Sequence, residues 1–122
     1  MKKAFAVSVC LLLAVSGVFA QQTFLTIATG GTAGTYFPLG GALAEIWNKN
    51  IPKMNVNATA TGASAANIAM LAKGDVDVIF VQNDAAYYAF NDLEIYKGKG
   101  TKDIRGLASL YDETVQLVAL QD

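Results

Sequence analysis

Beyond residue 20 the chain alternates between two hydrophobic periods. Phe24-Leu25-Thr26-Ile27-Ala28-Thr29 is short, rich in β-favouring residues and stopped by Gly30-Gly31, which predicts a strand. From Tyr36 to Lys49 apolar side chains recur at Leu39, Leu43, Ile46 and Trp47, while Glu45, Asn48 and Lys49 face out; this predicts a helix. Pro38 is tolerated there because it falls in the first turn. Gly40-Gly41 weakens the helix by about 1 kcal/mol per glycine, a cost that close packing against a neighbouring backbone would explain. Met54 to Ala60 alternates as a second strand. Ser64 to Lys73 predicts a second helix, with Ser64 as N-cap, Ile68, Met70, Leu71 and Ala72 on its buried side, and Gly74 as its stop.

Asp77-Val78-Ile79-Phe80-Val81 is a nearly continuous apolar run, as expected of a strand covered on both faces. Asn83 to Phe90 predicts a third, short helix, and Asn91 to Lys102 a polar loop containing glycines. Ile104 to Leu110 and Val115 to Leu120 read as two further strands. The order is that of an α/β fold, a mostly parallel sheet flanked by helices. No repeat, low-complexity stretch or linker interrupts it. The chain stops at Gln121-Asp122 directly after an apolar segment, so the sequence is expected to be truncated.

The first twenty residues follow neither period. Lys2 and Lys3 form a positive start, Ala4 to Val15 an apolar stretch, and Ser16-Gly17-Val18-Phe19-Ala20 the small residues a signal peptidase reads. This predicts a signal peptide over residues 1–20, cleavage between Ala20 and Gln21, export to the periplasm, and a mature region over 21–122. A membrane anchor would need about 20 apolar residues, and this stretch falls short before Gln21-Gln22-Thr23. Cys10, the only cysteine, sits in the middle of the apolar stretch, where lipidation does not occur.

Composition narrows the chemistry. The mature region has no thiol and the chain has no histidine, so disulfides, thiolate metal sites and cysteine nucleophiles are excluded. Without Lys2 and Lys3, seven basic residues stand against ten acidic ones, a net charge of −3. No basic stripe is offered to phosphates, and nucleic-acid binding is not expected.

In an open parallel sheet, ligands bind beyond the carboxyl ends of the strands. Three segments are expected there. Thr29-Gly30-Gly31-Thr32-Ala33-Gly34-Thr35-Tyr36 joins the first strand to the first helix, its glycines permitting positive φ and close backbone approach. Thr61-Gly62-Ala63-Ser64 sets two hydroxyls at another helix start, and Gln82-Asn83-Asp84 follows the third strand. Two helix N-termini in one crevice favour an anionic group such as a carboxylate, by about 0.3–1 kcal/mol each. Asp84 could accept an ammonium or hydroxyl of the same ligand. Each segment also has a plainer account: turns need glycine, Ser64 caps a helix in any case, and Asp84 could cap its own.

Other chemistries fail on spacing. No Lys-Ser or Lys-Thr follows the first glycine loop as a phosphate-binding loop requires, and the third glycine of a dinucleotide fingerprint is missing. Ser64 has no histidine to act as base. Asp75 and Asp77 flank Val76 as a solvated turn would, rather than a catalytic pair or metal site. Tyr87-Tyr88 and Phe90 could line a pocket, but helical spacing buries at least one of them by default. No enzyme activity, metal or cofactor is expected.

The stretch Thr29 to Gly41 resembles the opening motif of the TAXI family, the solute-binding subunits of tripartite ATP-independent periplasmic (TRAP) transporters. Ala60-Thr61-Gly62-Ala63-Ser64, with Asn67 three residues on, is similar to the family's Ser-Thr-Gly-Gly-Ser stretch. Gln82-Asn83-Asp84 with Tyr87 and Tyr88 is similar to its Gln-x-Asp segment and following aromatics, and Leu107 to Leu120 to its next pair of strands. Two departures stand out: Ala60 and Ala63 replace the serine and second glycine of the middle motif, and the chain has only the length of one lobe. The resemblance implies the first lobe of a two-lobed periplasmic-binding-protein fold, with nearly all of the second lobe absent. It implies a solute held between lobes, ion-driven uptake through membrane permease subunits, and substrates such as glutamate or related carboxylates. A lobe without its counterpart is then expected to bind weakly or not at all. The expected ligand-binding residues are Gly31, Thr32, Thr35, Tyr36, Ala63, Ser64, Gln82 and Asp84. A sensor or surface interaction module built on the same lobe is the competing expectation.

Overall fold

The structure, a computed structural model, describes residues 21–114 and Ala119. The expected signal peptide over 1–20 lies outside the described residues, as does nearly all of the expected strand Val115–Leu120. The chain divides into two compact units, residues 1–82 and 83–122.

The first unit is α/β. Its strands are β1 (Thr23–Ala28), β2 (Met54–Thr59) and β3 (Val78–Ile79), and its helices α1 (Tyr36–Asn50) and α2 (Ser64–Lys73). The sheet runs β2-β1-β3 and every pairing is parallel. Thr23 lies opposite Met54 and Ala28 opposite Thr59, while Ile27 and Ala28 face Val78 and Ile79. This is the sheet-and-helix architecture of one lobe of a binding-protein fold.

β1 becomes fully buried towards its end, at Ile27 and Ala28, because a strand lies on each side of it there. Ile27, Ala44, Val56 and Phe80 form the core, with Leu25, Tyr36, Leu43, Trp47, Met54, Ala58 and Val78 packed around them. The ladder of β3 is shorter than the apolar run Asp77–Val81, but Asp77 N–H donates to Thr26 O and Phe80 N–H to Ala28 O, extending the contact at both ends. Asp77 is also more than a solvated turn residue: its Oδ2 accepts from the Thr26 N–H at 2.8 Å.

The inward face of α1 differs from the expected one. Its buried residues are Gly40 and Ala44, while Leu39 and Ile46 are exposed. Small residues win that face because the helix sits close to the sheet. A Cβ on Gly40 would overlap Thr29 Cγ2 and stand 3.5 Å from Phe80 Cε2; one on Gly41 would meet nothing within 4 Å. The first glycine is therefore explained by side-chain packing rather than backbone contact, and the second is not explained by packing. α2 ends as expected, with Gly74 left-handed at φ 78° and bonded to Leu71 O, and Asp75 N–H bonded to Met70 O.

The second unit holds α3 (Asn83–Asn91) and a 3₁₀ turn at Glu94–Tyr96 that buries Tyr96. Tyr88 is half-buried, whereas Tyr87 and Phe90 are exposed. The expected strand Ile104–Leu110 is not formed: the segment has no regular secondary structure, and Leu107 and Leu110 are exposed. A strand needs a neighbour to complete its backbone hydrogen bonds. No described strand pairs with it.

Candidate functional site

Three backbone segments of the first unit meet at the carboxyl ends of its strands. Thr61 N–H donates to Gly30 O at 3.2 Å, joining the loop after β2 to the loop after β1. Gln82 N–H donates to Ser64 Oγ at 3.1 Å, joining the segment after β3 to the start of α2. The Tyr36 ring, at the start of α1, rests on Phe80 with centroids 5.4 Å apart and planes tilted by 43°. Gly31, Thr32, Thr35 and Gln82 line these segments in exposed positions, whereas Tyr36, Ala63 and Ser64 are half-buried.

Ser64 is not the N-cap it was expected to be. The cap position is Ala63, and Ser64 is the first helical residue. Its hydroxyl oxygen accepts from Gln82, which leaves the hydroxyl proton to donate elsewhere. The N–H groups of the first turn of α2 have no intrahelical acceptor and carry the positive end of the helix dipole. Together they can hold one anionic oxygen.

The expected positive φ is found, but not at a glycine of these loops. Among the described residues the glycines with positive φ are Gly74 and Gly98, while Ala63 stands at φ 62°, ψ −151°. That region is nearly exclusive to glycine and costs other residues about 1–3 kcal/mol. The Thr61 hydroxyl helps hold the conformation by accepting from Ala63 N–H at 3.1 Å. At Gly30 a Cβ would lie 3.5 Å from Tyr36 Cβ and 3.8 Å from Ala63 Cβ, in ordinary van der Waals contact, so packing does not explain that glycine. At Gly31 a Cβ would meet no protein atom within 4 Å, so that face is open.

Asp84 belongs to the second unit. It lies in the first turn of α3, where its Oδ1 accepts from Ala85 N–H and Asn83 Oδ1 accepts from its own N–H. Burial first, and the Asp84 carboxylate second, push the Tyr96 phenol above its ordinary value.

Asn67 and Thr29 were not among the expected site residues, yet they are the buried polar side chains of the described core. Thr29 Oγ1 donates to Thr59 O at 2.6 Å, tying β1 to β2. Asn67 Nδ2 donates to Thr29 O at 2.6 Å and Phe80 O at 2.8 Å, and its Oδ1 accepts from Thr61 Oγ1 at 2.5 Å. The sequence signals were a polar residue beside Ile68 on α2 and the place of both residues within the motif resemblance, neither of which assigned them a role.

The model of the NMT1-like family matches residues 27–122. The chain belongs to the NMT1-like family. This is a family of the periplasmic-binding type, and NMT1-like membership carries a solute-binding role with a small-molecule ligand. The match begins within β1 and takes in all three strand-end segments, so the NMT1-like region and the junctions described above coincide.

Proposed function

We propose that this chain is the solute receptor of a TRAP-type uptake system of the TAXI kind. It binds a small carboxylate or amino acid such as glutamate and passes it to membrane permease subunits. In this reading residues 1–20 direct export and are removed between Ala20 and Gln21, and residues 21–122 form the first lobe of the receptor in the periplasm. The ligand's anionic oxygen rests on the first turn of α2 and the Ser64 hydroxyl, and Thr32, Thr35, Tyr36 and Gln82 complete the wall.

The observation that carries the reading is the Ser64–Gln82 hydrogen bond, within a chain matched to a solute-binding family over residues 27–122. It holds the segment after β3 against the Ser64 hydroxyl, beside the first turn of α2. Calorimetric titration of the full-length mature protein with L-glutamate, L-glutamine, 2-oxoglutarate and C4-dicarboxylates tests it. Micromolar binding of at least one is expected, about −8 kcal/mol; flat heats across the series would overturn it. Amino-terminal sequencing of the exported protein is expected to start at Gln21-Gln22-Thr23, and recovery of Met1 in the cytoplasm alone would refute export.

A further inference from the structure

Asn67 occupies a position that neither periodicity nor capping explains. It is fully buried, on a helix whose inward side otherwise presents apolar groups such as Ile68. No buried side-chain nitrogen or oxygen among the described residues lacks a partner, so each polar atom of this amide is served. Its partners come from three places. Thr29 O follows β1, Phe80 O follows β3, and the Thr61 hydroxyl belongs to the loop after β2. Thr61 Oγ1 in turn accepts from Ala63 N–H and lies 3.1 Å from Thr29 O.

One side chain therefore joins all three strand ends to α2. Ser64 lies three residues earlier, within the same first turn, and the first intrahelical bond runs from Asn67 N–H to Ala63 O. Pinning Asn67 pins the turn that carries Ser64. The Ser64–Gln82 and Thr61–Gly30 contacts do not involve Asn67, but they require the helix start and the strand ends to be held in register.

We infer that Asn67 is the positioning residue of the site: its amide sets the three strand-end segments in the arrangement that receives solute. The solute clause rests on the receptor reading above; the geometric clause does not. Only an amide does this work here, because two carbonyls need donors while the Thr61 hydroxyl needs an acceptor. Leucine matches the shape but offers neither. Aspartate keeps the acceptor and, when ionised, turns a negative charge on the Thr29 and Phe80 carbonyls.

The test compares Asn67→Leu with Ile68→Val, a neighbouring core change without polar consequence, in the full-length mature protein. Amide hydrogen exchange is read at Gln82 and Thr61, whose own acceptors remain in both variants. In Asn67→Leu these two amides are expected to exchange at least tenfold faster than in Ile68→Val, after normalising to global stability. The affinity for L-glutamate is expected to fall at least tenfold, with Ile68→Val within twofold of the parent. Unchanged protection at both amides would overturn the inference. If the parent gives no heat with L-glutamate, the receptor reading loses that solute, and the amide comparison decides the positioning role alone. Should Asn67→Leu not fold, Asn67→Asp decides on the same amides. Their protection, corrected for intrinsic exchange, is expected to be low at pH 8 and to recover as acid protonates the carboxyl and restores a donor. Protection equal to the parent's and independent of pH would overturn the inference.

Discussion

Gly40 stands so close to Thr29 that a single added carbon would overlap the threonine's γ-methyl group. Thr29 cannot turn aside, because its hydroxyl donates to Thr59 O at 2.6 Å and the residue is fully buried. Alanine at position 40 gains about 1 kcal/mol in helix propensity but overpacks the seam, at a cost of about 1–3 kcal/mol. Gly40→Ala is therefore expected to destabilise the first unit, by up to about 2 kcal/mol. Gly41→Ala, which meets nothing within 4 Å, is expected to stabilise it by up to about 1 kcal/mol. Urea unfolding of the two variants side by side checks the pair, and equal shifts would refute the packing account.

Ala63 holds a backbone conformation suited to glycine. Ala63→Gly relieves about 1–3 kcal/mol of strain and loses about 0.5–1 kcal/mol to the unfolded chain's extra freedom. A net stabilisation of about 1 kcal/mol is expected by thermal or urea unfolding. Destabilisation would mean that Ala63 is not strained.

Gly31 separates stability from binding. Gly31→Ala is expected to leave the unfolding midpoint nearly unchanged, since the methyl group meets no protein atom. It places that methyl at the open face where the solute is proposed to sit, so a several-fold weaker Kd is expected in the titration series. Unaltered affinity would remove this loop from the binding wall.

Asn48 guards an edge of the sheet. Its Oδ1 accepts from Val56 N–H at 2.6 Å and its Nδ2 donates to Val56 O at 2.8 Å, serving both backbone groups of a residue on an outer strand. Asn48→Ala is expected to cost about 1–3 kcal/mol through those unpaired groups. It also bares a strand edge that invites pairing with another chain. Light scattering at rising concentration is expected to show association in the variant and not in the parent.

The second unit carries a pH window of its own. Backbone N–H groups of Gly98 and Gly100 hold the Asp92 carboxyl below its ordinary value, the Gly100 bond measuring 3.0 Å. A lowered folded-state pKa means that the stabilisation is present above the unfolded value of 3.8 and is lost as pH falls through the folded one. Burial raises the Tyr96 phenol, so its contribution is complete below the unfolded value of 10.0 and is lost as pH rises through the folded one. Amide protection across 92–101 is expected to hold between these limits. Asp92→Asn is expected to remove the acid-side loss and leave the alkaline one.

Local sequence determined most of the elements. α2 runs over the expected Ser64–Lys73 and Gly74 stops it, α1 and β2 agree to within one residue at each end, and β1 to within one residue. These follow from periods of 3.6 and 2, which the covalent chain imposes on any neighbourhood, and from a glycine whose backbone freedom is its own. The sequence also pointed to the three strand-end loops, because glycine and hydroxyl residues directly after apolar runs mark where strands give way to helices.

What touches what was decided only by tertiary structure. Leu39 and Ile46 had the spacing of a core stripe, yet Gly40 and Ala44 are inside, and at Gly40 proximity to Thr29 admits nothing larger. Ile104–Leu110 read as a strand but has no described neighbour to pair with. Ser64 had the chemistry of a cap, and Gln82 took its oxygen instead. Asn67 was the least legible of all. Two of its partners are backbone carbonyls, which every residue carries and no sequence pattern distinguishes, so only the folded chain shows why an amide is buried there.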